Sequence, residues 1–320
     1  MNDDLHSRRH AAALIGAGFA ASALATAAHA RRAPEDVPIV ATVKPSNLSP
    51  DQAIETSVDP YRRMTAPLYI NRQGPHFFVV DTGANQSVIS TELAAALALP
   101  AGPTITVHGV AGAEPAPTAI CAAVQVGDRI ERDVVMPVLP QAAIGAPGIL
   151  GIDRLRNQRL TLDFRERRLT LAPSHYEEPN PFTSRVPARQ RSGQLTIVDA
   201  DLAGIPVSAF LDSGAERTIG NPALLQLAVL RAPQRRFFDV PIISVTGRTI
   251  PGQIALLPVL RLGMVRLVDI AVTFADLHVF QIWGFEKPAI LIGMDALSIF
   301  DSVTLDFGRA EVLFELYPKR

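Results

Sequence analysis

Two short segments place an acid where an acid is costly. Asp81-Thr82-Gly83 follows the apolar run Phe77-Phe78-Val79-Val80, and Asp212-Ser213-Gly214 follows Ala209-Phe210-Leu211; each then continues into alanine, Ala84 or Ala215. A carboxylate at the end of a buried strand is expensive unless something pairs with it. Two in matching contexts imply two carboxyls brought together across a pseudo-two-fold axis. Such a pair cannot comfortably ionise twice, so it shares a proton and titrates as a coupled unit. The charged member can take a proton from a water held between the two. The protonated member can donate to the carbonyl that the water attacks, with no covalent intermediate. Thr82 and Ser213 supply hydroxyls able to bond across the axis, and Gly83 and Gly214 are read as sharp turns that bring amides to the carboxyls. A single Asp-[Thr/Ser]-Gly is most often a turn; the chemistry rests on there being two.

To make a pair, the chain must build the same scaffold twice, and it repeats itself on that scale. The copies are residues 64–172 and 193–320. After each acidic tripeptide a short apolar run leads into a small helix. Ser90 or Thr91 is the expected cap of the first, over 92–99, stopped by Pro100; Asn221 with Pro222 opens the second. Stretches of strand character broken by Gly and Pro follow. Each copy then carries an apolar-Gly motif, Ile149-Leu150-Gly151 or Leu291-Ile292-Gly293. It closes on Leu160-Thr161-Leu162-Asp163-Phe164 or Val303-Thr304-Leu305-Asp306-Phe307. Short, turn-separated strands indicate closed barrels and not βαβ units. The fold class is therefore mostly β, with two tandem pseudo-symmetric barrels in one bilobal unit.

Outside the copies, residues 173–192 are proline-rich and charged and read as a linker. Residues 31–63 hold Pro34, Pro38, Pro45, Pro50 and Pro60 and read as an extended lead-in, with weak helical potential over 51–56. Residues 1–30 carry Ser7-Arg8-Arg9, a charge-free Ala/Gly-rich stretch and Ala28-His29-Ala30. That pattern predicts an export signal cut after Ala30, of twin-arginine character, with an uncleaved membrane anchor as the alternative. The expected location is the bacterial periplasm.

Composition removes other chemistries. Among 320 residues, 30 basic and 31 acidic side chains nearly cancel, so nothing electrostatic points to nucleic acid. Cys121 is the only cysteine, which excludes an intrachain disulfide or a cysteine zinc site; its apolar surroundings read as a buried small hydrophobe. His76, His108, His175 and His278 show no metal-ligand spacing, so neither metal nor cofactor is expected. Ser213 lacks a nucleophile-elbow pattern. Trp283 fits a pocket wall or the core equally well.

The residues Val79-Val80-Asp81-Thr82-Gly83-Ala84 with Ile149-Leu150-Gly151, and Phe210-Leu211-Asp212-Ser213-Gly214-Ala215 with Leu291-Ile292-Gly293, resemble the retropepsin-like aspartic proteases. The resemblance is to the bacterial exported form in which two such units are fused, and it covers 64–316. It implies an aspartic endopeptidase acting on peptide or protein substrates, with Asp81 and Asp212 as the catalytic pair and Thr82 and Ser213 as their clasp. It also implies apolar-Gly segments beneath the loops, and a monomer with an internal pseudo-dimer, a homodimer being the alternative. Flap hairpins would include His108, Gly109 and Gly112 in the first copy and Thr246 and Gly247 in the second. The absent flap tyrosine and the alanine after each glycine match the retroviral branch over the pepsin branch, and imply an optimum between weakly acidic and neutral pH. Ile152 and Met294 stand where the retroviral enzymes carry arginine, and Asp153 and Asp295 after them read as helix caps. The competing reading is a catalytically silent peptide-binding protein that kept the fold.

Overall fold

The computed structural model describes residues 12–14, 52–60, 62–153, 158–178, 180–191, 194–244 and 248–316. Alternation of apolar and polar residues builds two curled sheets, one per copy, whose inward faces form the core. In the first half the strand Gln73–Val80 delivers Asp81. It pairs antiparallel with Met64–Ile70 on one side and parallel with Gly148–Leu150 on the other. A long hairpin, Ala101–Gly109 and Gly112–Val126, rises from this sheet, and its return strand pairs with Met64–Ile70 to close the barrel. The second half repeats the plan. Ile205–Leu211 delivers Asp212 between Gln194–Leu202 and Ala289–Ile292, the hairpin is Phe238–Ile243 with Thr249–Leu262, and Thr249–Leu262 closes onto Gln194–Leu202.

A six-stranded layer joins the halves, in the order Gln52–Glu55, Arg168–Pro173, Gln158–Asp163, Ser302–Asp306, Glu311–Glu315, Thr183–Arg191. At its centre Thr161 lies directly opposite its repeat mate Thr304, hydroxyl to hydroxyl at 2.9 Å. Two expectations change here. Gln52–Glu55 is a strand and not helical, because Arg168–Pro173 offers it a free edge and Ile54 a place in the core. The stretch read as a linker contains Thr183–Arg191, a strand that bonds Glu311–Glu315 and then runs on to pair with Gln194–Leu202.

The helices follow their capping residues. Ser90 accepts from the Leu93 amide at 3.0 Å and opens Thr91–Ala96, shorter than the sequence suggested because Ala98 turns left-handed at φ 48°. Asn221 accepts from Leu224 at 3.0 Å and opens Pro222–Arg231. Cys121 is buried, and burial pushes its thiol up to about 11, an inert core residue. No described helix is long and apolar enough to cross a membrane. The export signal falls outside the described residues except Ala12–Leu14, a short strand parallel to Thr106–His108 of the first hairpin.

Candidate active site

Each acidic tripeptide is held from below by its own apolar-Gly motif. The Asp81 amide donates to Leu150 at 3.0 Å and the Asp212 amide to Ile292 at 3.0 Å. One step further on, the Ile152 amide donates to Ala84 and the Met294 amide to Ala215, at 2.9 and 2.8 Å. Gly151 and Gly293 let the crossing strands touch: a Cβ on either would lie 2.7 Å from the Ala84 carbonyl oxygen or 2.5 Å from that of Arg217. Asp153 and Asp295, expected as caps, instead tie these motifs to the loop above. Ser87 donates to Asp153 at 3.0 Å and Thr218 to Asp295 at 2.7 Å, while Gly293 and not Asp295 occupies the cap position of Met294–Leu297.

The loops are then clasped to each other with near-exact reciprocity. The Thr82 hydroxyl donates to the Leu211 carbonyl at 2.9 Å and accepts from the Ser213 amide at 3.0 Å. The Ser213 hydroxyl donates to the Val80 carbonyl at 2.7 Å and accepts from the Thr82 amide at 3.1 Å. All four bonds are buried, so each one lost would leave a buried orphan.

Between the clasped loops the two carboxyls meet. Asp81 Oδ1 accepts from the amides of Gly83 and Ala84 at 2.8 and 3.0 Å, and Asp212 Oδ1 from Gly214 and Ala215 at 2.9 and 3.0 Å. Asp81 Oδ2 is buried with no donor of the ordinary kind; what faces Asp81 is the Asp212 carboxyl. Two carboxyls can bond only if at least one carries a proton, so a facing pair favours sharing a proton over double ionisation. Burial raises the Asp81 pKa, opposed by the bond to Asp212, the loop amides and the charge of Arg63.

The glycines turn the chain and bring their amides to the carboxyls as read from the sequence, and they serve a second purpose. Neither Gly83 nor Gly214 needs a left-handed backbone; each lies flat against the opposite aspartate. A Cβ on Gly83 would sit 2.6 Å from the Asp212 carboxyl carbon, and one on Gly214 2.3 Å from that of Asp81. Only glycine allows the carboxyls to slide over the facing loop.

Two supporting residues escaped the sequence reading. Arg63 and Gln194 stand at the same place in the repeat, eighteen residues before each aspartate. Arg63 is buried, bonded to Asp59 at 2.7 Å and to the Ile144 carbonyl at 3.0 Å. Gln194, also buried, reaches across to the first loop and donates to the Gly83 carbonyl at 3.0 Å and to Asn85 at 2.7 Å. A polar residue where the first strand begins in both copies was the available signal.

Of the hairpin candidates, Thr246 and Gly247 lie outside the described residues. His108, Gly109 and Gly112 sit at the tip of the first hairpin, which reaches over to the second half. Its Val110 is wholly buried in a cluster with Phe210, Ala215, Leu277, Phe280 and Trp283. Trp283 is thus a core residue beneath that tip, its ring edge-on to Phe210 at 4.4 Å. No group of three or more metal-binding side chains occurs among the described residues.

Residues 66–157, which include the first tripeptide and its apolar-Gly motif, match the family model described as gag-polyprotein putative aspartyl protease. No curated protein matches the chain. Among solved structures, a retropepsin-like aspartic protease from Rickettsia conorii is similar at 16% identity and a TM-score of 0.31, covering 44% of this chain and 97% of that one.

Proposed function

We propose that the chain is an aspartic endopeptidase whose active site forms between its own two halves. The observation that carries this reading is the buried Asp81–Asp212 pair: Oδ1 of each is saturated by loop amides, and Asp81 Oδ2 is left facing the partner carboxyl. That arrangement holds one proton at the junction of two loops that cannot drift apart. A water between the carboxyls loses a proton to the ionised member as it attacks the peptide carbonyl, and the protonated member donates to the carbonyl oxygen. As the C–N bond of the tetrahedral intermediate breaks, the aspartate that took water's proton passes it to the leaving nitrogen and the other takes a proton back from a hydroxyl of the intermediate, so a carboxylic acid and an amine leave and the pair is again singly protonated. Thr82, Ser213, Gly83 and Gly214 keep the carboxyls in register and do not touch the substrate.

The match of residues 66–157 to an aspartyl-protease family model supports the first half of this site. The repeat supplies the second. Both carboxyls come from one chain, so a monomer suffices, and sedimentation alongside activity tests that. The deciding experiment digests a proteome-derived peptide mixture with the purified protein, with and without a pepstatin-type inhibitor. Inhibitable cleavage that vanishes in Asp81→Asn and in Asp212→Asn is the expected result. Peptide binding without cleavage by the wild type would leave the silent binding protein as the correct reading.

A further inference from the structure

Besides the exposed Glu114–Arg248 ion pair, the first hairpin is fastened to the opposite half at three points. Val110 fills the aromatic cluster beside Asp212, the His278 amide donates to the Val110 carbonyl at 2.8 Å, and His108 Nδ1 lies 3.3 Å from His278 Nε2 with the rings stacked at 5.5 Å. The first two contacts do not titrate in the physiological range. The third does, because a nitrogen-to-nitrogen bond between imidazoles needs one ring to donate and the other to accept. One added proton can sit on the far nitrogen of the donating ring and leave the bond intact; a second must go to the accepting nitrogen, and two donors and two positive charges then face each other. We propose that His108 and His278 form a proton-operated latch that holds the first hairpin down across the cleft at neutral pH and releases it in weak acid.

The charged groups nearest the pair have partners of their own. On the return strand His108 faces Ala113; the neighbouring Glu114 is engaged by Arg248 of the second hairpin at 3.3 Å. Beside His278, Asp276 accepts from Gln281 at 3.3 Å. Burial first and the His278 charge second lower the His108 pKa while the hairpin is down. A lifted hairpin returns the ring to water and to an ordinary value of about 6.5. The sign follows: the closed form prefers the neutral ring, so closure is favoured above that range and is lost as pH falls through it. Within that window the open-to-closed ratio rises by up to about tenfold per pH unit for each proton taken up. The latch bears on the proposed protease only in that a peptide must pass under the hairpin.

Trp283 is the only tryptophan in the chain and packs in the same cluster as Val110, so it reports the tip directly. The test follows Trp283 emission, and hydrogen exchange over residues 107–112 corrected for intrinsic rates, from pH 7.5 to 5 in an Asp81→Asn background. The expected result is a red shift and faster exchange below about pH 6.5, both abolished by His108→Gln and by His278→Gln. Val110→Ser should give the open signals at every pH, which establishes what opening looks like even if one histidine variant folds poorly. A transition that persists in both histidine variants, or no transition in the parent, overturns the latch. Neither readout involves turnover, so the absence of protease activity would leave the latch standing.

Discussion

Below the carboxyls the two halves are built from different materials. Under Asp81 the wall is aliphatic, made of Val79, Val88, Leu139, Ile144 and Ile149. Under Asp212 it is aromatic, with Phe210 stacked on Phe285 and edge-on to Phe280 and Trp283. Val79 and Phe210 hold the same position, two residues ahead of the aspartate. The loops resting on these walls are nearly superimposable in their bonding. The loops that hold the aspartates have stayed symmetric, and the buried walls beneath them have diverged. A homodimer could not do this, because each change would appear twice.

The symmetric part should break symmetrically. Asp81→Asn and Asp212→Asn are each expected to lower kcat/KM by about 10³-fold or more, to similar residual levels, measured on a peptide the wild type cleaves. A large difference between the two would mean that only one aspartate is essential. The walls should respond unequally. Trp283→Ala is expected to cost about 3–5 kcal/mol in denaturant unfolding, against about 0.5–1.5 kcal/mol for Ile149→Val in the aliphatic wall. Comparable losses would argue against an aromatic cluster that anchors the hairpin. The clasp lies between. Thr82→Val and Ser213→Ala each orphan buried backbone groups and should cost about 1–3 kcal/mol apiece, but less than additively together, because the two hydroxyls serve one network.

The smallest effect concerns pH. The raised Asp81 pKa means that the fold prefers the protonated acid, so this stabilisation is complete below the ordinary carboxylate range and is lost as pH rises through the shifted value. Asp81→Asn mimics the neutral form and should raise Tm at pH 7, with the gain shrinking towards pH 4. A Tm difference independent of pH would separate the pair from this account.

Much of this was legible because it is local. The acidic tripeptides, the apolar-Gly motifs and the Asn221-Pro222 helix start each declare themselves within a few residues. What could not be read depends on partners far away in sequence. Thr183–Arg191 becomes a strand because Glu311–Glu315 presents an unpaired edge to it. Gly83 and Gly214 are turns as they looked, and only the facing carboxyl shows why each must also lack a Cβ. His108 and His278 are 170 residues apart, and nothing near either one announces the other.

The threonines at the centre of the joining layer locate the molecule's symmetry. A residue on a two-fold axis meets its own copy, so Thr161 against Thr304 is the contact that a symmetric dimer would make with itself. One continuous chain can keep that meeting point and still let everything further out differ between its halves. The hydroxyl pair thus marks the pseudo-two-fold axis, and the mismatched walls measure how far the two halves depart from it.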